Sequence, residues 1–575
     1  MNQAILERAK AKAKHFLENE GAFQLGALPT EQSHRATREL SSVLQTDVFE
    51  GLRMLFSVDA ELPEKIAEVV QGEPYAALVR QFTRALKEGC QILFSGCGAT
   101  GRLCLIIESA WRTFWAERPE AERRLYGDCV SGMITGGDRA LVRSVEGFED
   151  YASFGRKQLQ AFGIGTGDVL VAVSEGGETS SVIGSAWQAL EDGASVFFAF
   201  NNPATILREQ VCRSRELIDA PGVTVLDLCT GPMAIAGSTR LQAVTVELIV
   251  LGSALETAMS RLPELMGHVS IAPSPADLLR CQIAALSEPE NLSVLADLVS
   301  REAACYRAGG RVTYVADRLM LDLMQDTTER TPTFSLPPFR VKGDSISPPS
   351  WAFIKHPALP TEAAWLNMLG HEPRGLGWSA ETYAGLGAPP SMLSTLPNLS
   401  GHALYAFEVG CEHDASRYEA PHSLAMCIES GEADLFVPPA FEAYLARFTE
   451  QLHLSIRAEG APNVEAGRSR MVCPMPATPL CLWERLAVKL VFNTLSTATM
   501  VSMGYVDGNW MSRAEASNKK LIDRGVRLVA ELGKMPYAEA CVEFHITLEL
   551  LRTGSAHTGQ VVAPAVVTLE RLQAT

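Results

Sequence analysis

The chain has 575 residues, 47% of them hydrophobic, and a formal net charge of −17. That length suits two to four domains with sizeable cores, and the acidic balance argues against a nucleic-acid backbone as partner. The 13 cysteines include no Cys-x-x-Cys and no paired Cys/His metal spacing, so they read as free thiols of a reducing, cytoplasmic compartment.

In chain order, residues 1–20 read as a charged amphipathic helix without the apolar core of a secretory signal. No apolar run reaches the length of a membrane span, and no membrane partner is expected. From Gln91 to Glu108, QILFSGCGATGRLCLIIE, an apolar run ends in Ser95, passes Gly96, Gly98 and Gly101, and continues with helical spacing. A strand, a tight turn and a helix N-terminus follow from that pattern. Such a turn offers free N–H groups and a positive dipole end to an anion. A dinucleotide site would need an acid at the end of the next strand, roughly 20 residues on. The acids in WRTFWAERPEAERRLYGD (Trp111 to Asp128) lie in helix and surface patterns instead, and the loop carries Thr100 and Arg102. A second unit repeats the design: DVLVAV (Asp168 to Val173) reads as a buried strand and runs into Ser174-Glu-Gly176-Gly177-Glu-Thr179, then a helix. Hydroxyls and N–H groups on such a turn suit a phosphomonoester.

These loops resemble the sugar isomerase (SIS) domain, whose second loop reads roughly S-x-S-G-x-T. Ser174, Gly177 and Thr179 match, and Gly176 replaces the middle serine. SGCGATGRL, then Met133 to Gly155 with VEGFED, then AGSTRLQAVTVELIVL (Ala236 to Leu251), resemble one branch, the N-acetylmuramic acid 6-phosphate etherases and the glucokinase regulatory proteins. LPTEQSHRATREL (Leu28 to Leu40) is similar to the opening segment of both. The resemblance implies an α/β fold of two SIS domains, each a flavodoxin-like parallel sheet flanked by helices, forming an internal pseudo-dimer. LQAVTVELIVLGSALE (Leu241 to Glu256) is echoed by LAVKLVFNTLSTATM (Leu486 to Met500), and Gly309 to Gln325 begins a second strand–loop–helix. The expected layout is an N-terminal helical segment (1–44), a first SIS domain with intact phosphate loops (45–275), a second with degenerate loops (285–545) and a short tail (546–575). Thr331 to Ser400, rich in Pro and Gly, reads as irregular loop or insertion.

The two copies have diverged in complementary ways. The catalytic Glu of the etherases, in a D-A-S-E-C-P-P-T segment, aligns with Ala110 in the first copy; Glu108, two residues away, faces elsewhere on the helix and reads as a partly buried or surface acid. In the second copy the segment is Asp326-Thr-Thr-Glu329-Arg-Thr-Pro332-Thr333, and the Glu is present. That copy's glycine loop has become ADRLMLD (Ala316 to Asp322), and its expected second loop, GCEHDAS (Gly410 to Ser416), lacks the motif. One composite site between the copies is therefore expected, its symmetry mate dead. By the resemblance it would include Gly98, Thr100, Gly101, Ser174, Gly176, Gly177 and Thr179 on the phosphate loops; Ser238, Thr239 and Arg240 from a lining segment; Lys520 for the phosphate; and Glu149 and Glu329 as functional carboxylates.

The resemblance implies a sugar-phosphate ligand, a fructose phosphate or an N-acetylated amino-sugar phosphate, with no metal and no organic cofactor. The duplication favours a regulator of carbohydrate metabolism with a sugar kinase as partner. The alternative is an etherase-like lyase of cell-wall sugar salvage, in which Glu149 and Glu329 divide the acid and base roles. An aldose–ketose isomerase fits the fold and loops, but VEGFED and AGSTR point to the other two.

Overall fold

The computed structural model describes residues 3–573 apart from 146, 268, 432–437, 462–466, 517 and 554–562. Short runs apolar on both faces, such as Val169–Val173, form strands that can only be buried inside a layered α/β core. Five lie in the first half: β1 (Ile92–Gly96), β2 (Val130–Ile134), β3 (Val169–Val173), β4 (Ser195–Phe200) and β5 (Val223–Asp227). Five lie in the second: β6 (Val312–Val315), β7 (Ala352–Lys355), β8 (Leu424–Gly431), β9 (Glu450–Ala458) and β10 (Ser469–Cys473). All pairs are parallel; Ile92 sits between Val130 and Val169, and Val312 between Ala352 and Leu424. The orders, β2-β1-β3-β4-β5 and β7-β6-β8-β9-β10, are the same flavodoxin-like order met twice. In each, the order in which strands are laid down switches sides between the first and third strands, and the crevice beyond their C-terminal ends is where such sheets receive ligands.

The halves pack equivalent helix on equivalent helix. The glycine-loop helix Gly98–Ala116 meets Met320–Phe334, and Gln242–Met259 meets Leu482–Ser502. This is the contact pattern of a two-fold dimer inside one chain. One apolar cluster runs through both halves, from Ile92 and Leu248 to Leu490 and Val312. Helix Gln242–Met259 is long and apolar enough to cross a membrane by length and composition, contrary to the sequence expectation, but 94% of it is buried inside the protein.

Two further expectations need correcting. Residues 331–400 are not merely irregular: they hold the end of a helix, β7 and helix Thr361–Leu369. Because β7 lies there, the third strand of the second sheet is β8, and GCEHDAS precedes it. The second-loop counterpart follows Gly431 and lies outside the described residues. After the second sheet, helices Lys519–Leu532, Tyr537–Thr553 and Pro564–Gln573 share a core with the N-terminal helix Gln3–Asn19, including Phe16, Val529, Phe544 and Ala565. The division expected at residue 545 falls inside one of these helices.

Candidate functional site

A cavity of about 250 Å³ opens at the switch point of the first sheet. The loop after β1 gives it Cys97, Gly98 and Ala99, and the loop after β3 gives it Glu175 and Thr179. Behind the loops, β1 is tied to the helix Ser180–Glu191 that follows the second loop, where Ser95 Oγ meets Ser185 Oγ at 2.8 Å. Thr100 does not face the cavity; its Oγ1 caps its own turn, donating to the Cys97 carbonyl (2.7 Å), and contacts Glu175 Oε2 (3.2 Å). Gly101 serves packing: a Cβ there would lie 2.5 Å from Ile134 Cγ1 of β2. Ser174, Gly176 and Gly177 shape the second loop from behind. Ser174 Oγ pairs with Thr179 Oγ1 (2.9 Å), Asn202 donates to the Gly176 carbonyl (3.0 Å), and Gly177 takes φ +70° where a Cβ would meet Leu207.

The lining segment enters ahead of helix Gln242–Met259. Ser238, Thr239 and Arg240 all reach the cavity. Ser238 Oγ is buried without a hydrogen-bond partner, a cost that a ligand hydroxyl or phosphate oxygen would remove. Arg240 is committed elsewhere: its guanidinium crosses to the second half and donates to Asp326 Oδ1 (2.7 Å) and Thr497 Oγ1 (3.0 Å).

Both carboxylates face the same space. Glu149 sits on a short turn anchored by Phe148, which is buried against Phe154 and Trp378. Its Oε1 accepts from Asn518 (2.9 Å), which also caps helix Lys519–Leu532. Burial raises Glu149 to about 7, against relief from Lys520. Glu329 comes from the second half's helix and ion-pairs with Arg102 of the first. Ala110 lies outside this cavity, as its alignment with Glu329 requires. Glu108 is neither surface nor partly exposed: it is fully buried, accepts from Gly132 N (2.8 Å) and pairs with Arg112 and Arg374. Burial would raise its pKa, but His371 and Arg374 outweigh that and hold it down to about 2.

Lys520 reaches the cavity from helix Lys519–Leu532 with its ammonium already engaged, 2.8 Å from Glu178 Oε1 of the second phosphate loop. Burial would lower its pKa, but Glu178 and Glu31 overcome this and push it up. Glu178 is in turn held below the usual range, since Lys520 and Arg213 outweigh its burial. Glu175 lines the cavity and burial raises it to about 7. Glu31, in the opening segment Leu28–Leu40, is buried and gathers Arg524 (2.7 Å) and Arg527 (2.8 Å), fixing helix Lys519–Leu532 against that segment.

The sequence reading left out Glu31, Glu175, Glu178, Asn518 and Arg524. For the loop pair the signal was in plain sight, two glutamates flanking a Gly-Gly inside a phosphate-loop pattern. Among the described residues no cluster of three or more His, Cys, Asp or Glu is arranged to hold a metal ion.

Two parallel sheets with loops and lining segments in this order define a sugar-phosphate protein of the SIS class. The family model of the glucokinase regulatory protein N-terminal SIS domain matches residues 75–189. The N-acetylmuramic acid 6-phosphate etherase of Deinococcus radiodurans is 30% identical over 242 residues, 42% of this chain and 72% of that protein. Etherase 1 of Bacillus licheniformis is 26% identical over 247 residues, 43% of this chain and 73% of that one. Among solved structures, tagatose-6-phosphate ketose/aldose isomerase from Escherichia coli is similar at TM-score 0.41 and 10% identity, covering 78% of this chain and 93% of that one. The chain belongs to the N-acetylmuramic acid 6-phosphate etherase family, with the alignable region filling less than half of its length.

Proposed function

We propose that the cavity between the halves binds an N-acetylated amino-sugar phosphate and that the protein is an etherase-type lyase acting on it. The observation that carries this reading is the meeting of Glu149 and Glu329, one from each half, in one cavity. The N–H groups at the N-terminus of Gly98–Ala116, the Thr179 hydroxyl and Lys520 would hold the phosphate. The carboxylate of Glu329 removes the proton on the carbon next to the open-chain sugar carbonyl. Glu149, whose burial raises its pKa to about 7 and so keeps a large protonated fraction near neutral pH, gives its proton to the ether oxygen on the neighbouring carbon. The C–O bond breaks, lactate leaves and a double bond forms; water then adds across it, with the two carboxyls exchanging roles.

A second reading is a ligand-responsive regulator, with a fructose phosphate as ligand and a sugar kinase as partner. The Lys520–Glu178 pair favours it, since a phosphate must displace Glu178 to reach the ammonium, loosening the second loop from helix Lys519–Leu532. Lactate release from N-acetylmuramic acid 6-phosphate separates the two. The lyase reading expects release that falls by about 100-fold or more in Glu149→Gln and in Glu329→Gln. Saturable binding of the phosphosugar without release would leave the regulator.

A further inference from the structure

The internal two-fold gives the glycine loop, the lining segment and the Glu329 helix of the candidate site their counterparts, and these enclose a second cavity rather than a closed seam. Its volume is about 430 Å³, larger than the first. Asp317–Leu319 fill the place of the glycine loop, Thr478–Cys481 that of Ser238–Arg240, and Ala110 that of Glu329. Ala110 leaves this cavity without the carboxylate that Glu329 gives the first, and Asp317–Leu319 leave it without a glycine loop, but the space is open.

We propose that this counterpart cavity is a second small-molecule site, built for an unphosphorylated sugar acid. Its polar anchor is Arg485, whose side chain is only 9% exposed. Arg485 lines the cavity; its Nε donates to the Leu480 carbonyl (3.2 Å) and its Nη1 to Asp322 Oδ2 (2.5 Å), while Nη2 has no acceptor among the described residues. A buried guanidinium with one free edge is a receptor for a single carboxylate. Around it, Ala110, Phe114, Val269 and Leu319 supply apolar wall for a sugar ring face or an acyl methyl, and Asn367 supplies hydrogen bonds for hydroxyls. A phosphate dianion is poorly served. Asp317, paired with His356 (2.9 Å), sits where the first cavity has its glycine loop, the neighbouring Arg318 is already held by Glu484 (3.2 Å), Glu117 adds a second acid to the lining, and the Lys520 helix has no counterpart because Val269 and Ser270 follow the equivalent helix instead.

The test is calorimetric binding of N-acetylmuramic acid, without phosphate, to the full chain and to three variants. Thr113, an exposed helix residue lining the cavity, is changed to Trp to block it; Arg485→Gln removes the anchor; Lys520→Ala disables the first cavity. The expected result is saturable binding of one ligand per chain, unchanged in Lys520→Ala and weakened at least about tenfold in Thr113→Trp and Arg485→Gln. Should Arg485→Gln fold poorly, Thr113→Trp carries the result alone. Absence of saturable binding up to millimolar ligand overturns the proposal, as does binding lost in Lys520→Ala and kept in Thr113→Trp. No turnover enters this assay, so its outcome is independent of whether the first cavity is a lyase site.

Discussion

Lys520 is held by a carboxylate of the same loop that would deliver it to a phosphate, so affinity at this site is a contest between Glu178 and the ligand. Glu178→Gln removes the competitor, and calorimetry is expected to show sugar-phosphate affinity rising about tenfold, the worth of one charge-assisted contact. Unchanged or weaker binding would mean that Glu178 helps hold the ligand. Glu149 and Glu175 set the pH response. Both have folded pKa values raised from 4.5 to about 7, chiefly by burial. For Glu149 as acid, the active protonated form is lost as pH rises through 7, so lactate release is expected to decline above that point. For stability the sign is the same. In the unfolded chain these carboxyls ionise near 4.5, so folding is disfavoured progressively between 4.5 and 7. Glu175→Gln is therefore expected to raise Tm at pH 8 and change it little at pH 4, measured by thermal denaturation in matched buffers. Glu149, Glu329, Lys520 and Ser238 were legible as positions in family motifs. Their partners were not. Glu31 and Arg524 are 493 residues apart in sequence, and no local pattern links them.

Elements were more legible than side chains wherever burial imposes a continuous apolar run. The β1 and β3 units, each a strand, a loop and a helix, read directly because parallel strands covered on both faces leave no alternation to confuse. The second half was harder. ALYAFEV (Ala403 to Val409), just before GCEHDAS, reads as its third strand, yet Gly401–Ala406 forms only a short helical turn and the strand begins at Leu424. Six apolar residues in seven look alike whether they face a sheet or a helix, and only the position of β7 in the sheet resolves the count. Gly101 illustrates what an element demands of a single position. The helix Gly98–Ala116 lies so close to β2 that Gly101→Ala is expected to destabilise by about 1–3 kcal/mol in chemical denaturation. A neutral result would show that Ile134 can turn aside.

At the scale of the molecule, the apolar cluster that crosses both sheets makes the halves one cooperative unit. Calorimetry is expected to show a single unfolding transition, and a first-half fragment ending after Met259 to aggregate, because it would expose helix Gln242–Met259, which the second half covers. Two separated transitions would contradict this. The duplication itself was legible from the echo between Leu241–Glu256 and Leu486–Met500. The membership of the C-terminal helices in one core with Gln3–Asn19 was not, since that core is assembled from the two ends of the chain.

Fusing the two copies also changes what a substitution means. In a symmetric homodimer every replacement is made twice, so loss of a carboxylate strikes both sites and is not survivable if the chemistry matters. Here Ala110 alters one cavity and leaves Glu329 in the other untouched. The covalent link thus uncouples the fates of two composite cavities that the internal two-fold relates, and either can change its lining without the other.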